Sequence, residues 1–472
     1  MTDPVPSISC ESLEPEIIAD VLVIGAGAAG LTAALVAAAA GAEVVVLERD
    51  ASPSGSTSMS SGFVPAPATR YQREIGVVDD SVEAFIDDIM AKSKDLSDER
   101  LAHLAAHHIG PAIEWLGVHA GVAWHVLDGF LYPGHSRHRM HAVPEKTGAA
   151  LQARLLSAAD AAGIALVTGA RADVIVVDEG GAARAVTASR PDGTRETVGC
   201  ETLILACNGY GGQAEMIAKY APEIATGTYY GHAGNTGHAV AWGEALGAEL
   251  RHLSGYQGHG SLAHPHGILI SWALMTQGAV QVNSEGRRFS DETGGYSEQA
   301  VKVLAQPGGV AWNIYDAARH AFAMDGFPDY RDAEAAGALR QGESWAELAE
   351  ATGLPVDELS KTMEDVAVRI EAGGTDSFGR TFRGVAPLAP PYFAVKVTGA
   401  LFHTQGGLMI GQDARVVTLD GAPLPNIYAA GGAACGVSGP NVEGYLSGNG
   451  LLTALAFGYV AGAAAAVLAA QA

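Results

Sequence analysis

Basic residues are scarce in this chain: 28 Lys and Arg stand against 52 Asp and Glu, for a formal net charge of −24. No basic stripe offsets that balance. This excludes a nucleic-acid partner, whose affinity rests on clustered cations. Cysteine is as sparse, and Cys10, Cys200, Cys207 and Cys435 show no CxxC, no CxxCH and no zinc or iron–sulfur spacing. Free thiols in a reducing, cytoplasmic compartment are therefore expected, no metal site is expected, and any electron acceptor has to be a separate molecule. The N-terminal stretch MTDPVPSISCESLEPEI is acidic and lacks an apolar core, which argues against a secretory leader. Long apolar runs are also few. Gly450–Ala470 raises the question of a membrane span, but its bulk is Ala and Gly, so a helix buried on a sheet is predicted instead.

What remains is a chain with 48% apolar and 17% charged residues, the balance of a well-packed α/β protein. Asp20–Asp50 is its most informative stretch, DVLVIGAGAAGLTAALVAAAAGAEVVVLERD. A buried strand runs into Gly25, Gly27, Ala28 and Gly30, an Ala-rich helix follows, and a second strand delivers Glu48 and Arg49. Gly25 permits the tight turn, Gly27 lets a pyrophosphate approach the backbone, and Gly30 lets helix and strand pack closely. The helix start offers N–H groups and a positive dipole end to phosphates. Glu48, 18 residues past Gly30, stands where an acidic side chain grips an adenosine ribose. A bound dinucleotide is predicted.

The rest of the chain alternates in texture. A Ser/Gly-rich loop, Ser52–Gly62, carries Ser56, Thr57, Ser61 and Gly62. Residues 164–207 read as a β-meander with turns at Gly180-Gly181 and Asp192-Gly193, ending in Ala206, Asn208 and Gly209. Aromatics, histidines and helices fill the region from about Ser254 to Ala372, and from Gly406 the strand-and-glycine style returns, with Gly431-Gly432 before the last helix. The fold class that follows is α/β: a discontinuous Rossmann-like domain built from both ends of the chain, with an inserted α+β cap. The segment Tyr132–His141 holds three histidines and two arginines, but the spacing suits no compact ligand set; a loop lining a channel is the simpler reading, and Asp79-Asp80 and Asp87-Asp88 read as solvated faces.

Taken in order, these motifs resemble the fumarate reductase/succinate dehydrogenase flavoprotein superfamily, which includes 3-ketosteroid dehydrogenases. The resemblance runs through LILACNGYGG (203–212), VNSEGRRFSDE (282–292), FHTQGGLMI (402–410) and PNIYAAGGAACG (425–436). It implies FAD, an FAD domain over residues 1–253 and 405–472, a cap over 254–404, and an active site where the two meet. FAD would be bound non-covalently, since the loop Gly55–Met59 lacks the histidine by which some members tether it. Cofactor contacts are expected from Gly25, Gly27, Ala28, Gly30, Glu48, Arg49, Ser56, Thr57, Ser61, Gly62, Ala206, Asn208, Gly209, Gly432 and Asn449.

The chain leaves the family pattern where fumarate reductases clamp a dicarboxylate with arginines, whose guanidinium fork matches a carboxylate. One clamp position falls on Tyr445, the proton-donor arginine on Tyr296, and the relay pair on Trp272 and Met275, while His403 and His259 keep their places. The 4-ene-forming (5α) ketosteroid dehydrogenases carry a similar GYxSG pattern, here Gly444–Gly448. The expected reaction is introduction of a double bond next to a ketone in a small hydrophobic, steroid-like cyclic substrate. Such a reaction needs a polarised carbonyl, a base for the α-proton and an acceptor for the β-hydrogen. Tyr445 is assigned the first role and Tyr296 the second, with Ser447 or His403 relaying the proton. The competing readings are an enone or unsaturated-acid reductase and a flavin-loaded electron-transfer subunit.

Overall fold

The computed structural model describes residues 6–11, 15 and 17–471. The leader reading of the N-terminus falls partly outside them. The chain divides into two compact units, 1–221 with 231–256 and 403–472, and 222–230 with 257–402.

In the first unit, five parallel strands form the core of a nine-stranded sheet, in the order Pro423–Ala429, Arg195–Leu205, Ile17–Ile24, Val44–Leu47, Ala165–Val167. The central strand Ile17–Ile24 is buried on both faces from Val21 onward, as its unbroken aliphatic run requires. The expected meander is present but shorter. Arg171–Val177, Ala183–Ser189 and Arg195–Leu205 pair antiparallel, whereas Ala165–Val167 lies at the opposite edge, parallel to Val44–Leu47. The helix Gly148–Ala161 immediately before it makes it the end of a crossover, which a parallel partner demands. Ser7–Ser9 adds a parallel strand on Arg171–Val177.

Helix Ala28–Ala39 packs on the C-terminal helix Asn449–Ala469 at backbone distance. A Cβ on Gly458 would stand 2.5 Å from the Ala29 carbonyl oxygen, and one on Gly462 2.3 Å from that of Ala33. Asn449–Ala469 is the one helix among the described residues long and apolar enough to cross a membrane, yet 67% of its apolar window is buried within the protein.

The second unit is built on a seven-stranded sheet in which Tyr392–Thr404 is central, flanked by Tyr256–Ala263 and Val310–Asp316. Segment 222–230, expected in the nucleotide domain, belongs here because Thr228 and Tyr229 pair in parallel with Ala400 and Leu401 of that strand. Charges of the VNSEGRRFSDE motif serve the fold: buried Glu292 accepts from Arg288 at 2.7 Å and from Arg380 at 2.8 Å, and Asp376 pairs with Arg288 at 2.5 Å. The two arginines hold the Glu292 carboxyl below the usual carboxylate range against the opposing effect of burial.

The helix crossing makes a sharp prediction. Gly462→Val should lower stability by about 3 kcal/mol, because overpacking here meets backbone rather than a yielding side chain. Exposed Val467, on the same helix, should accept Ala within about 0.5 kcal/mol. Urea denaturation of both variants compares them; equal midpoints would refute the close-packing account.

Candidate active site

The glycine fingerprint behaves as its chemistry requires. Gly25 has φ +106°, and a Cβ there would fall 2.5 Å from the Ala206 carbonyl oxygen. One on Gly30 would lie 1.9 Å from the oxygen of Gly25, so this turn admits only glycine at both places. Gly27 begins the helix without a side-chain cap of its own, and Thr57 from the Ser/Gly loop accepts the Ala28 N–H at 2.9 Å. Glu48 is buried and tied at both oxygens, accepting from Ala26 N at 2.8 Å and Asp50 N at 2.9 Å. Those bonds orient the carboxylate and leave lone pairs for a diol.

Other predicted cofactor residues join the same cluster. Ser56 Oγ accepts from Asn208 Nδ2 at 2.7 Å, and Asn208 adopts φ +65°. Gly432 packs on Asn208, where a Cβ would lie 2.1 Å from Oδ1, and Gly209 packs equally tightly on Thr404 Oγ1. Arg49 donates to the Gly234 carbonyl at 2.8 Å. Gly62, followed by no helix of its own, abuts the Thr147 carbonyl with φ +72°, and Ser61 precedes it on the same loop. The arrangement therefore joins Ser56–Gly62 to the start of helix Gly148–Ala161, where Gly148 N donates to Ser60 O at 2.8 Å.

Several contributors carried no local signal. Gln152 donates to the Ala26 carbonyl at 2.5 Å while its own Oε1 is buried without a protein partner, and Asn449 Oδ1 is buried in the same condition. Asn235 Nδ2 also reaches Ser56 Oγ, at 3.2 Å. Nothing in the bare spacing of Gln152 and Asn235 marks them, whereas Asn449 is among the contacts expected from sequence. A backbone cradle without side chains, a tethered acidic group and two unpartnered buried oxygens are what a dinucleotide with hydroxyl and N–H donors fits.

The GYxSG loop is clamped at both ends. A Cβ on Gly444 would lie 1.9 Å from the Ser438 carbonyl oxygen, and Gly448, at φ +87°, is pressed against Pro65. Between them Tyr445, Leu446 and Ser447 are all buried. His135, from the histidine-rich segment, donates through Nε2 to the Ser447 carbonyl at 2.9 Å. In the same segment His141 contacts Thr69 Oγ1 at 2.7 Å, and Arg139 is buried against Asp80 and Asp88. Asp79 and Asp87 are exposed as expected, but Asp80 and Asp88, also read as solvated, turn inward to Arg139, because an interior guanidinium needs compensating carboxylates. Among the described residues no His/Cys/Asp/Glu group could hold a metal ion.

His403 lies in the first unit with its ring 5.7 Å from that of Tyr445, edge to face. Burial lowers its pKa to about 4, so it is neutral near pH 7. In the second unit, His259 is sandwiched between Tyr296 at 5.0 Å and Phe402 at 5.3 Å, with Trp272 edge-on at 5.9 Å. Burial pushes its pKa down to about 3. Trp272 and Met275 are themselves buried. Each unit thus presents one neutral histidine packed against one of the two tyrosines singled out from sequence.

The FAD binding domain family matches residues 20–451. The chain belongs to that family. It is 32% identical to a probable fumarate reductase of Shewanella frigidimarina over 95% of this chain and 75% of that one. Among solved structures, the open conformation of a flavocytochrome c3 fumarate reductase is similar with a TM-score of 0.80 at 30% identity, covering 96% of this chain and 79% of that one. A 3-ketosteroid-Δ4-(5α)-dehydrogenase from Rhodococcus jostii RHA1, in complex with 4-androstene-3,17-dione, is similar at 0.78 and 25% identity, covering 98% and 100%. This flavoprotein is an FAD-dependent oxidoreductase of the group that includes both.

Two expectations follow. Glu48→Ala should weaken FAD binding at least about tenfold, the worth of one charge-assisted bond to a hydroxyl; titration of apoprotein with FAD, followed by flavin fluorescence, measures it. An unchanged Kd would remove Glu48 from the cofactor site. The buried histidines give a pH dependence as well. His135 and His141 are held near 4 and His259 near 3, all below the ordinary 6.5. The unfolded chain takes up protons that these folded groups refuse. Stability is therefore full above about pH 6.5 and lost as pH falls toward 4, by up to about 1.4 kcal/mol per pH unit for each group. Urea midpoints at pH 7 and pH 5 should differ accordingly, and a flat profile would contradict the neutral assignments.

Proposed function

We propose that this enzyme introduces a carbon–carbon double bond α,β to the carbonyl of an uncharged cyclic ketone. The observation that carries the reading is the pairing of neutral histidine with tyrosine in each unit, His403 with Tyr445 and His259 with Tyr296. A dicarboxylate needs positive countercharge, which neither couple offers; a carbonyl needs hydrogen bonds and apolar walls, which both supply. The likeness to a ketosteroid dehydrogenase over nearly the whole chain supports the same direction.

Tyr445 is assigned to the carbonyl oxygen, where its O–H stabilises charge that develops as the α-proton leaves. Tyr296 is assigned as the base for that proton and Ser447 as the relay, the roles expected from sequence. Non-covalently bound FAD supplies the acceptor for the β-hydrogen. The residues of the chain bind, orient and exclude water, and a separate acceptor would take up the electrons. A second reading, a reductase of enones or unsaturated acids, is supported by the probable fumarate reductase that is 32% identical.

Anaerobic mixing of holoenzyme with cyclic ketones distinguishes the two. Saturated ketones should bleach the oxidised flavin band, and Tyr296→Phe should slow bleaching at least about a hundredfold, the usual worth of a positioned base. FAD content should stay unchanged. Reoxidation of pre-reduced enzyme by enones or fumarate, with no bleaching by any saturated ketone, would establish the reductase in its place.

A further inference from the structure

Beside the reacting groups lies a run of buried polar side chains that the reaction does not itself require. Gln405 Nε2 is 3.1 Å from His403 Nδ1. Ser438 Oγ is 2.8 Å from Gln405 Oε1, and Asn449 Nδ2 is 2.9 Å from Ser438 Oγ. Gln405, Ser438 and Asn449 are each at most 4% exposed. Gln405 is also locked through its backbone, donating to Gly255 O at 2.8 Å and accepting from Gly436 N at 2.7 Å.

Direction matters in such a chain. As arranged, Asn449 donates to Ser438, Ser438 donates to Gln405, and Gln405 donates to His403. Asn449 Oδ1 is then the group left buried without a protein partner. Reversing every bond would put the Asn449 amide N–H groups in that place. An orphaned buried N–H is rarer in proteins than an under-satisfied carbonyl, so the first direction is favoured. His403 Nδ1 also lies 3.4 Å from the Thr404 carbonyl oxygen, a longer approach than the 3.1 Å to Gln405 Nε2; with the shorter contact setting the tautomer, Nδ1 accepts and the proton of a neutral imidazole sits on Nε2.

Position 450 completes the arrangement. A Cβ on Gly450 would stand 2.9 Å from His403 Nε2 and 2.8 Å from Cε1, so the absence of a side chain lets the ring settle over the start of the last helix.

We propose that Asn449, Ser438 and Gln405 form a one-way hydrogen-bond chain that holds His403 as its Nε2–H tautomer, making it a donor to substrate oxygen and not a proton-relaying base. The inference rests on the ketone reading above for the identity of that oxygen, though the tautomer does not. Gln405, Ser438 and Asn449 are positioning residues that act through His403, and His403 joins Tyr445 as a second donor to one carbonyl. The relay role left open from sequence then falls to Ser447 alone.

Histidine-selective 15N labelling of the substrate-free holoenzyme tests the claim, with His403 assigned by its loss in His403→Asn. Long-range 1H–15N spectra at neutral pH should show Nδ1 as the pyridine-type nitrogen and Nε2 as the pyrrole-type. The opposite pattern overturns the proposal, and so does an even mixture. Ser438→Ala, which removes a single oxygen atom, should bring in the second tautomer; an unchanged spectrum would show that the chain does not select it. Gln405→Glu presents only acceptors, so it should move the proton to Nδ1 and raise the His403 titration from about 4 into the range of about pH 5–8. With ketone substrate, that variant should lose about 10- to 100-fold in kcat with little change in KM, and its kcat should become pH-dependent where wild type is flat. Because the spectra need no substrate, failure of ketones to react would remove the reaction and leave the tautomer measured.

Discussion

The first unit depends on a packing of backbone against backbone: Gly458 over Ala29 and Gly462 over Ala33. The two helices run in the same direction at this crossing, so the last helix extends about two turns beyond the start of the first. That overhang is what carries Asn449, Gly450 and the Tyr445–Ser447 loop from the far end of the sequence to the fingerprint. Were either glycine larger, the helix would shift and the loop with it. The cofactor cradle and the Tyr445–Ser447 loop therefore share one packing event.

Charge is used sparingly and mostly for structure. Arg139 with Asp80 and Asp88, and Glu292 with Arg288 and Arg380, are interior ion clusters distinct from the histidine–tyrosine couples. The couples themselves rely on neutral donors. An acidic chain with few cations can still build a polar site this way, because hydrogen bonds to a carbonyl do not require a countercharge. It does require that each histidine be kept neutral and each donor aimed, which is why supporting residues such as His135 and Gln405 matter.

What could be read beforehand was whatever is encoded in short spacing. The fingerprint glycines, Glu48, the Asn208-Gly209 turn and the second glycine pair at 431–432 carry their reasons within a few residues of chain. The tyrosines and His403 were singled out because a motif surrounds each. Gln152, Asn235, His135 and Ser438 were not, since each acts through a partner more than thirty residues away and is itself an ordinary polar residue. The acidic pairs near Asp80 and Asp88 misled for the same reason: their partner, Arg139, is over fifty residues on. Ala165–Val167 was assigned to the wrong neighbour because a short strand's pattern states its face but not its partner.

The sheet of the first unit ends in three places, at Ser7–Ser9, Ala165–Val167 and Arg415–Val417, and each of these outer strands is only three residues long. An open strand is a template on which another copy of the same chain can add its own. Among the described residues each of these templates is too brief to hold a foreign strand in register, so this large mixed sheet stays a private structure.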